Sequence, residues 1–147
     1  MALKKILLVE DNPNDIELTM EALSENNIAN AVVVARDGEE ALDYLCRKGN
    51  FSSRPSGNPG VILLDLKLPK VDGLEVLRLI RSNDELKMIP VVILTSSREE
   101  SDLIESYRLG VNAYVVKPVD FNEFVKAIRT LGLFWAIINE PPPQCRK

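Results

Sequence analysis

The sequence contains no histidine among its 147 residues. Histidine is the base of Ser-His-Asp and Cys-His nucleophile systems and a common ligand of zinc and iron, so the chain cannot build these sites from its own residues. It also cannot carry a phosphoryl group on a histidine of its own. Any chemistry must therefore use carboxylates, lysine, hydroxyl groups or a metal ion bound by oxygen atoms.

Several other features are scarce. Two cysteines, Cys46 and Cys145, are too few for a disulfide framework or a zinc site. The longest apolar stretches, 91–94 and 131–138, are far shorter than the roughly 18 residues that suggest a membrane span. The net charge of −4 lacks the basic excess of a nucleic-acid surface. We expect a cytoplasmic protein of one domain that binds neither nucleic acid nor membrane.

Short apolar runs alternate with segments in which apolar residues recur every three or four positions. The runs indicate buried strands and the other segments indicate amphipathic helices. Five strands are predicted, over residues 5–9, 31–35, 61–64, 90–94 and 113–116. A helix is predicted after each strand, over 14–26, after Asp37, and over 73–81, 97–108 and from 120 onward. Because the strands are apolar throughout, this alternation predicts an α/β fold with a parallel sheet between two layers of helices.

The tract 49–60 is rich in glycine, serine, proline and asparagine. Its composition predicts an exposed loop of about a dozen residues, near the upper end for a compact domain. Two functions remain open for it, that of a solvated spacer and that of a contact to a partner.

Chemically useful side chains follow four of the predicted strands. Glu10 and Asp11 follow the first strand, Asp65 the third, Thr95 the fourth and Lys117 the fifth. In parallel α/β sheets, ligands bind at the carboxyl ends of the strands. Each residue taken alone is most simply a turn or cap residue, but the set together predicts a site.

Three carboxylates packed together repel one another and need a cation. Mg²⁺ prefers hard oxygen ligands and fits Glu10, Asp11 and Asp65. With Lys117 beside it, such a site would neutralise an incoming phosphoryl group, which is most of what phosphoryl transfer requires. A carboxylate such as Asp65 can serve as the nucleophile.

Four segments resemble the receiver domains of two-component response regulators. They are ILLVEDN at 6–12, VILLDLKLPKVDGLEVL at 61–77, VVILTSS at 91–97 and NAYVVKPVD at 112–120. The resemblance covers residues 4–131 and implies the flavodoxin-like, doubly wound sheet of five strands in the order 2-1-3-4-5, with five helices. It implies one receiver domain over 1–147, with its core over about 4–131 and a helical, proline-rich tail over 132–147.

The resemblance also implies roles for the strand-end residues. Asp65 matches the phosphoacceptor, and Asp11 and Glu10 match the acids that hold Mg²⁺. The backbone carbonyl of Lys67 matches the one that completes the metal site, and Lys117 matches the lysine that holds the phosphoryl oxygens.

Further roles belong to a conformational switch. Thr95 matches the hydroxyl that turns toward the phosphoryl group, and Tyr114 the aromatic side chain that turns inward behind it. The bond between Lys117 and Pro118 is typically cis in this family. The surface that responds is that of the fourth helix, fifth strand and fifth helix.

Three features depart from the common receiver pattern: Glu10 replaces aspartate, Lys67 is bulky, and the 49–60 tract is long. With the apolar residues Phe134 and Trp135, the long tract is similar to that of single-domain regulators paired with phytochromes. The resemblance to those regulators implies three partners. They are a sensor histidine kinase of phytochrome type, a second copy of the chain bound through the fourth helix, fifth strand and fifth helix, and a downstream protein. Phe134 and Trp135 are interface candidates.

The implied function is that of a phosphoacceptor signalling protein, which catalyses only its own phosphorylation and dephosphorylation. A phosphatase of the haloacid dehalogenase type would need a second aspartate where Lys67 stands. A dinucleotide-binding domain would need a glycine-rich turn after the first strand, where the sequence is Glu-Asp-Asn-Pro-Asn. A receiver-shaped scaffold that is never phosphorylated remains an alternative.

Overall fold

A parallel sheet of five strands forms the centre of the protein. The computed structural model describes residues 5–24, 32–54, 57–95, 108–111, 113–117 and 119–130. The strands are β1 (Ile6–Val9), β2 (Val32–Ala35), β3 (Val61–Asp65), β4 (Val91–Thr95) and β5 (Ala113–Val116). Their order is β2-β1-β3-β4-β5. This is the flavodoxin-like order that the receiver resemblance implies, and the prediction is confirmed.

Four helices are described. They are α1 (Pro13–Ser24), α2 (Gly38–Cys46), α3 (Gly73–Ser82) and α4 (Phe121–Thr130). Most of the helix predicted over 97–108 lies outside the described residues, so α4 corresponds to the fifth predicted helix. No helix in the described ranges has the length and apolar character that crossing a bilayer requires.

Alternating side chains of the strands fill two hydrophobic cores. In β1, Leu7 and Val9 point to one face, where they pack with the buried residues of α2 and α3. Ile6 and Leu8 point to the other face, where they pack with residues of α1 and with Phe124 of α4. Two covered faces explain why the strands carry almost no polar residues.

Side-chain caps fix where three helices begin. Asn12 Oδ1 accepts hydrogen bonds from the N–H groups of Asn14 and Asp15, at 2.9 and 3.1 Å. Asp37 Oδ1 accepts from Glu40 N–H at 2.7 Å. Asp120 Oδ1 accepts from Asn122 N–H at 2.7 Å. These contacts satisfy N–H groups that have no partner within the helix, and each cap directly follows or nearly follows a strand.

The described part of the segment 49–60 makes more contacts than its composition predicts. It includes a 3-10 turn (Gly49–Phe51), and the ring of Phe51 meets the ring of Tyr44 edge-on, with the ring centres 5.2 Å apart. The Arg54 guanidinium lies 4.2 Å from the centre of the Tyr44 ring, and Arg54 Nε donates to the Tyr44 carbonyl at 3.0 Å. In the described part of this segment, the chain therefore folds back onto α2.

Candidate functional site

Three carboxylates meet at the carboxyl edge of the sheet. Glu10 and Asp11 follow β1, and Asp65 is the last residue of β3. Since β1 and β3 are neighbours, with Val9 paired to Leu64, these acids are brought together. One oxygen from each carboxylate lies within 4.8 Å of the others. The structure thus assembles the acids that the sequence placed at separate strand ends.

The three acids differ in their exposure to solvent. Glu10 is 1% exposed and Asp65 is 6% exposed, whereas Asp11 is exposed. Backbone N–H groups hold the two buried carboxylates: Asn12 N donates to Glu10 Oε2 at 3.2 Å, and Lys67 N donates to Asp65 Oδ1 at 3.0 Å. The site is therefore open on the side of Asp11 and closed behind Glu10.

Lys117, directly after β5, places its ammonium among the acids. Its Nζ lies 2.6 Å from Glu10 Oε1 and 2.9 Å from Asp65 Oδ2. A third carboxylate contacts the same nitrogen, because Asp15 Oδ2 lies 3.1 Å away. Asp15 was missed by the sequence analysis, which searched only the strand ends, whereas Asp15 lies in the first turn of α1. A signal was present in its place in the first turn of α1, because the helix that follows β1 begins at the same edge of the sheet as the strand-end acids.

The charges in this cluster shift the pKa values of two groups. The pKa of Glu10 is raised from 4.5 to about 7, mainly by burial and in part by the nearby Asp65, against the opposing effect of Lys117. Burial lowers the pKa of Lys117, but hydrogen bonds and ion pairs with Asp65, Glu10 and Asp15 outweigh it and raise the pKa above its usual value. Lys117 is therefore a permanent cation.

Two glycines allow the loop that follows Asp65 to pack closely against the starts of α2 and α3. A Cβ on Gly73 would collide with the carbonyl oxygen of Asp65 and lie 2.6 Å from Leu66 Cα. A Cβ on Gly38, at the start of α2, would collide with the carbonyl oxygen of Val71 and lie 2.7 Å from Val71 Cβ. The loop between β3 and α3 is thus pressed between two helix starts, which fixes the backbone around Asp65.

The donor set fits a hard divalent cation. Each of the three acids offers a carboxylate oxygen to it, and the buried Glu10 Oε1 has the Lys117 ammonium, 2.6 Å away, as its neighbour. Oxygen ligands with one solvent-facing side are what Mg²⁺ requires, because this ion keeps several of its waters.

Some predicted site residues are described only in part. Thr95 ends β4 and its backbone pairs with Val116, but its side chain lies outside the described residues. Tyr114 is half-buried in β5 and packs against the core on the side of α2 and α3. Pro118 lies outside the described residues, and the predicted cis bond before it with it. The interface candidates Phe134 and Trp135 also lie outside them.

A cavity of about 410 Å³ lies at the opposite, amino edge of the sheet. Its walls are mostly apolar and include Val33, Tyr44, Phe51 and Arg54. No acid of the carboxyl-edge cluster contributes to it, so it has no part in the chemistry of that cluster.

Comparisons with known proteins agree with this geometry. The family described as "Response regulator receiver domain" matches residues 6–129. "Response regulator Rcp1" from Synechocystis sp. is 43% identical over 132 residues, which cover 90% of this chain and 88% of that protein. The solved structure of the "bacteriophytochrome response regulator AtBRR" is 65% identical, with a TM-score of 0.86, and covers 95% of this chain and 100% of its own. The "Mn(2+)-bound form of response regulator Rcp1" is 42% identical, with a TM-score of 0.74, and covers 95% and 99% of the two chains.

Proposed function

Because this chain belongs to the response regulator receiver family, whose members signal by accepting phosphoryl groups from histidine kinases, we propose that Asp65 is its phosphoacceptor. One observation carries the proposal: Asp65 Oδ2 lies 2.9 Å from the Lys117 ammonium in a pocket walled by two further acids. A nucleophilic carboxylate and a permanent cation are thus in contact at the solvent-facing edge of the sheet.

Each residue has a part in the transfer. A carboxylate oxygen of Asp65 attacks the phosphorus of a phosphohistidine, the P–N bond breaks, and the imidazole leaves with the bonding electron pair. The Lys67 N–H holds Asp65 Oδ1 and so orients the carboxylate. Lys117 neutralises the charge on the transferred phosphoryl oxygens, which is the largest contribution a protein makes to such a step.

We assign the divalent cation site to Glu10, Asp11 and Asp65, together with the backbone carbonyl of Lys67. A divalent metal occupies a solved relative, and we propose Mg²⁺ for this chain because its ligands are hard oxygen atoms. When bound, the ion supplies positive charge to the phosphoryl oxygens. Asp11 is the ligand most open to solvent, which suits the exchange of metal-bound water.

The output is proposed to be a change of surface. Thr95 and Lys117 would turn toward the phosphoryl group, and Tyr114 would fill the space that Thr95 leaves. Val116 supports β5 as part of the responding surface, because it lies on an edge strand and is 39% exposed. The helix predicted over 97–108 and α4 would form the rest of this surface. A second copy of the chain or a downstream protein would bind to it.

The kinase is proposed to be a phytochrome-type histidine kinase in the cytoplasm. The name of a relative supports the type of kinase, since AtBRR is called a bacteriophytochrome response regulator. Phosphorylation and dephosphorylation of Asp65 would be the only reactions that the chain itself catalyses.

Incubation with a small acyl phosphate, with and without Mg²⁺, tests the proposal. Intact mass is measured for the wild type and for Asp65→Asn, which keeps the shape of the side chain and removes the nucleophile. We expect one phosphoryl group on the wild type, only with Mg²⁺, and none on the variant. A phosphorylated Asp65→Asn protein, or a wild type that binds Mg²⁺ and takes up no phosphoryl group, would contradict the proposal.

A further inference from the structure

Asp15 is an acid of the site to which the proposed function gives no role. Its Oδ2 accepts a hydrogen bond from Lys117 Nζ at 3.1 Å, across 102 positions of sequence. The Asn12 cap holds the backbone of Asp15 in the first turn of α1, through a bond of 3.1 Å to Asp15 N–H. The Asp15 side chain is 28% exposed. Its position is thus built by the helix start, and its carboxylate points at one cation.

The Lys117 ammonium is fully occupied before any phosphoryl group arrives. An ammonium has three protons and no lone pair. Three carboxylate oxygens, from Glu10, Asp15 and Asp65, lie within 3.1 Å of its nitrogen. A phosphoryl oxygen can therefore form a hydrogen bond with Lys117 only if one of these carboxylates moves away or shares an ammonium proton with it.

The three carboxylates are not equivalent in the phosphorylated protein. Asp65 carries the phosphoryl group, and Glu10 belongs to the group of acids assigned to the cation. Asp15 lies outside that group of three. It neither carries the phosphoryl group nor belongs to the assigned cation site, yet it contacts the ammonium that the phosphoryl group needs.

We propose that Asp15 competes with the phosphoryl group for Lys117 and so limits how long Asp65 stays phosphorylated. Asp15 is a positioning residue in this account, because it acts through Lys117 and does not touch the reacting atoms. The inference rests on the proposed function. Phosphorylation replaces one carboxylate charge by about −1.5 to −2, so the negative charge of Asp15 opposes the product more than the starting state.

The test uses the whole chain with Mg²⁺ and a small acyl phosphate. The steady level of phosphorylated protein and its decay after donor removal are followed by intact mass. Asp15→Asn keeps an oxygen that can accept from Lys117 but removes the charge. We expect its phosphorylated form to persist about 3- to 5-fold longer than that of the wild type, the range set by a partly exposed ion pair.

Two further variants separate competition from other effects. Glu17→Gln removes the same charge from an exposed position of α1, and we expect a lifetime within about twofold of the wild type, as for a screened surface charge. Asp15→Glu keeps a carboxylate that can contact Lys117, so the lifetime of its phosphorylated form should also stay within about twofold of the wild type. A residue that only maintained the fold would make Asp15→Asn and Asp15→Glu change together.

The possible results are distinct. If the phosphorylated form of Asp15→Asn lasts no longer than that of the wild type, the proposed competition is wrong. It is also wrong if Glu17→Gln lengthens this lifetime as much as Asp15→Asn does. A wild type that takes up no phosphoryl group overturns the proposed function, and the role of Asp15 with it. A phosphorylated wild type with no effect of Asp15→Asn overturns the role of Asp15 alone.

Discussion

The two edges of the sheet both gather cations, but the cations bind different partners. At the carboxyl edge, Lys117 contacts three carboxylates. At the amino edge, Arg81 donates to the backbone carbonyls of Ile89, Leu109 and Gly110 at 2.8, 3.1 and 3.0 Å, and to that of Lys87 at 3.0 Å. A carboxylate can be phosphorylated, and a bound cation can neutralise its charge, whereas a backbone carbonyl is neutral and is not phosphorylated. The carboxyl edge can therefore switch, and the amino edge serves as its fixed support.

The geometry of Arg81 shows how this support is made. Its side chain leaves the last turn of α3 and ties together the segment before β4 and the segment before β5. A planar guanidinium with five N–H groups can bind several carbonyls at once, which a lysine ammonium does less well. Burial lowers the pKa of Arg81, yet arginine remains charged in proteins.

The largest expected effect comes from removing the cation at the carboxyl edge. Lys117→Met leaves the buried Glu10 and Asp65 without a counter-charge, so in metal-free buffer we expect a loss of about 4 kcal/mol in the free energy of unfolding. Urea denaturation measures this value, and intact mass should show little or no phosphorylation. Lys126→Met, on an exposed part of α4, is the matched control and should change stability by less than about 1 kcal/mol. Wild-type stability in Lys117→Met would show that the cluster does not need its cation.

The next largest effect comes from removing the cation at the amino edge, which should lower stability and leave phosphorylation unchanged. Arg81→Met removes four hydrogen bonds to carbonyls, and we expect a loss of about 3 kcal/mol in the free energy of unfolding. Arg78→Met, on the exposed side of the same helix, should cost less than about 1 kcal/mol. The folded Arg81→Met protein should still be phosphorylated. Loss of phosphorylation in folded Arg81→Met would contradict the separation of the two edges.

A smaller effect sharpens the comparison at the carboxyl edge. Gly38→Ala pushes a methyl group into Val71, so we expect a loss of about 2 kcal/mol by overpacking. Because Val71 belongs to the loop after Asp65, phosphorylation should also slow. Thermal unfolding and the initial rate of acyl phosphate transfer measure the two effects. A destabilised variant with an unchanged rate would show that α2 does not position this loop.

The smallest effect concerns the cation that lies over Tyr44. Arg54→Met removes the contact with the Tyr44 ring and the bonds to the carbonyls of Tyr44 and Gly57. We expect a loss of about 1 kcal/mol, since the side chain is partly exposed. The rate of phosphorylation should equal that of the wild type. A changed rate would connect segment 49–60 to the distant site.

Much of the fold could be predicted because it depends on local patterns. Apolar runs and helical spacing place all five strands to within one residue at the ends that are described. The errors at the carboxyl ends of β3 and β4 have one cause: Asp65 and Thr95 are polar, so the pattern stopped before them, although their backbones still pair in the sheet. Side-chain polarity and backbone pairing are separate properties, and only the first is visible in a sequence.

The candidate site could be predicted only where strand ends bring residues together. Glu10, Asp11, Asp65 and Lys117 follow from that rule, but Asp15 reaches Lys117 from a helix. The bonds of Arg54 and Arg81 were also missed, because long side chains reach backbone carbonyls whose positions depend on the folded chain. Segment 49–60 shows the same limit, since its polar composition gives no sign that Phe51 and Arg54 pack on Tyr44.

The most direct measurement is the position of the phosphoryl group on the wild-type chain. After reaction with acyl phosphate and Mg²⁺, borohydride reduces an acyl phosphate to an alcohol, and peptide mass spectrometry locates the reduced residue. We expect a single reduced residue at Asp65. Reduction at Glu10, Asp11 or Asp15 instead would contradict the account, because the carboxylate that Lys117 and the Lys67 N–H both hold would then not be the acceptor.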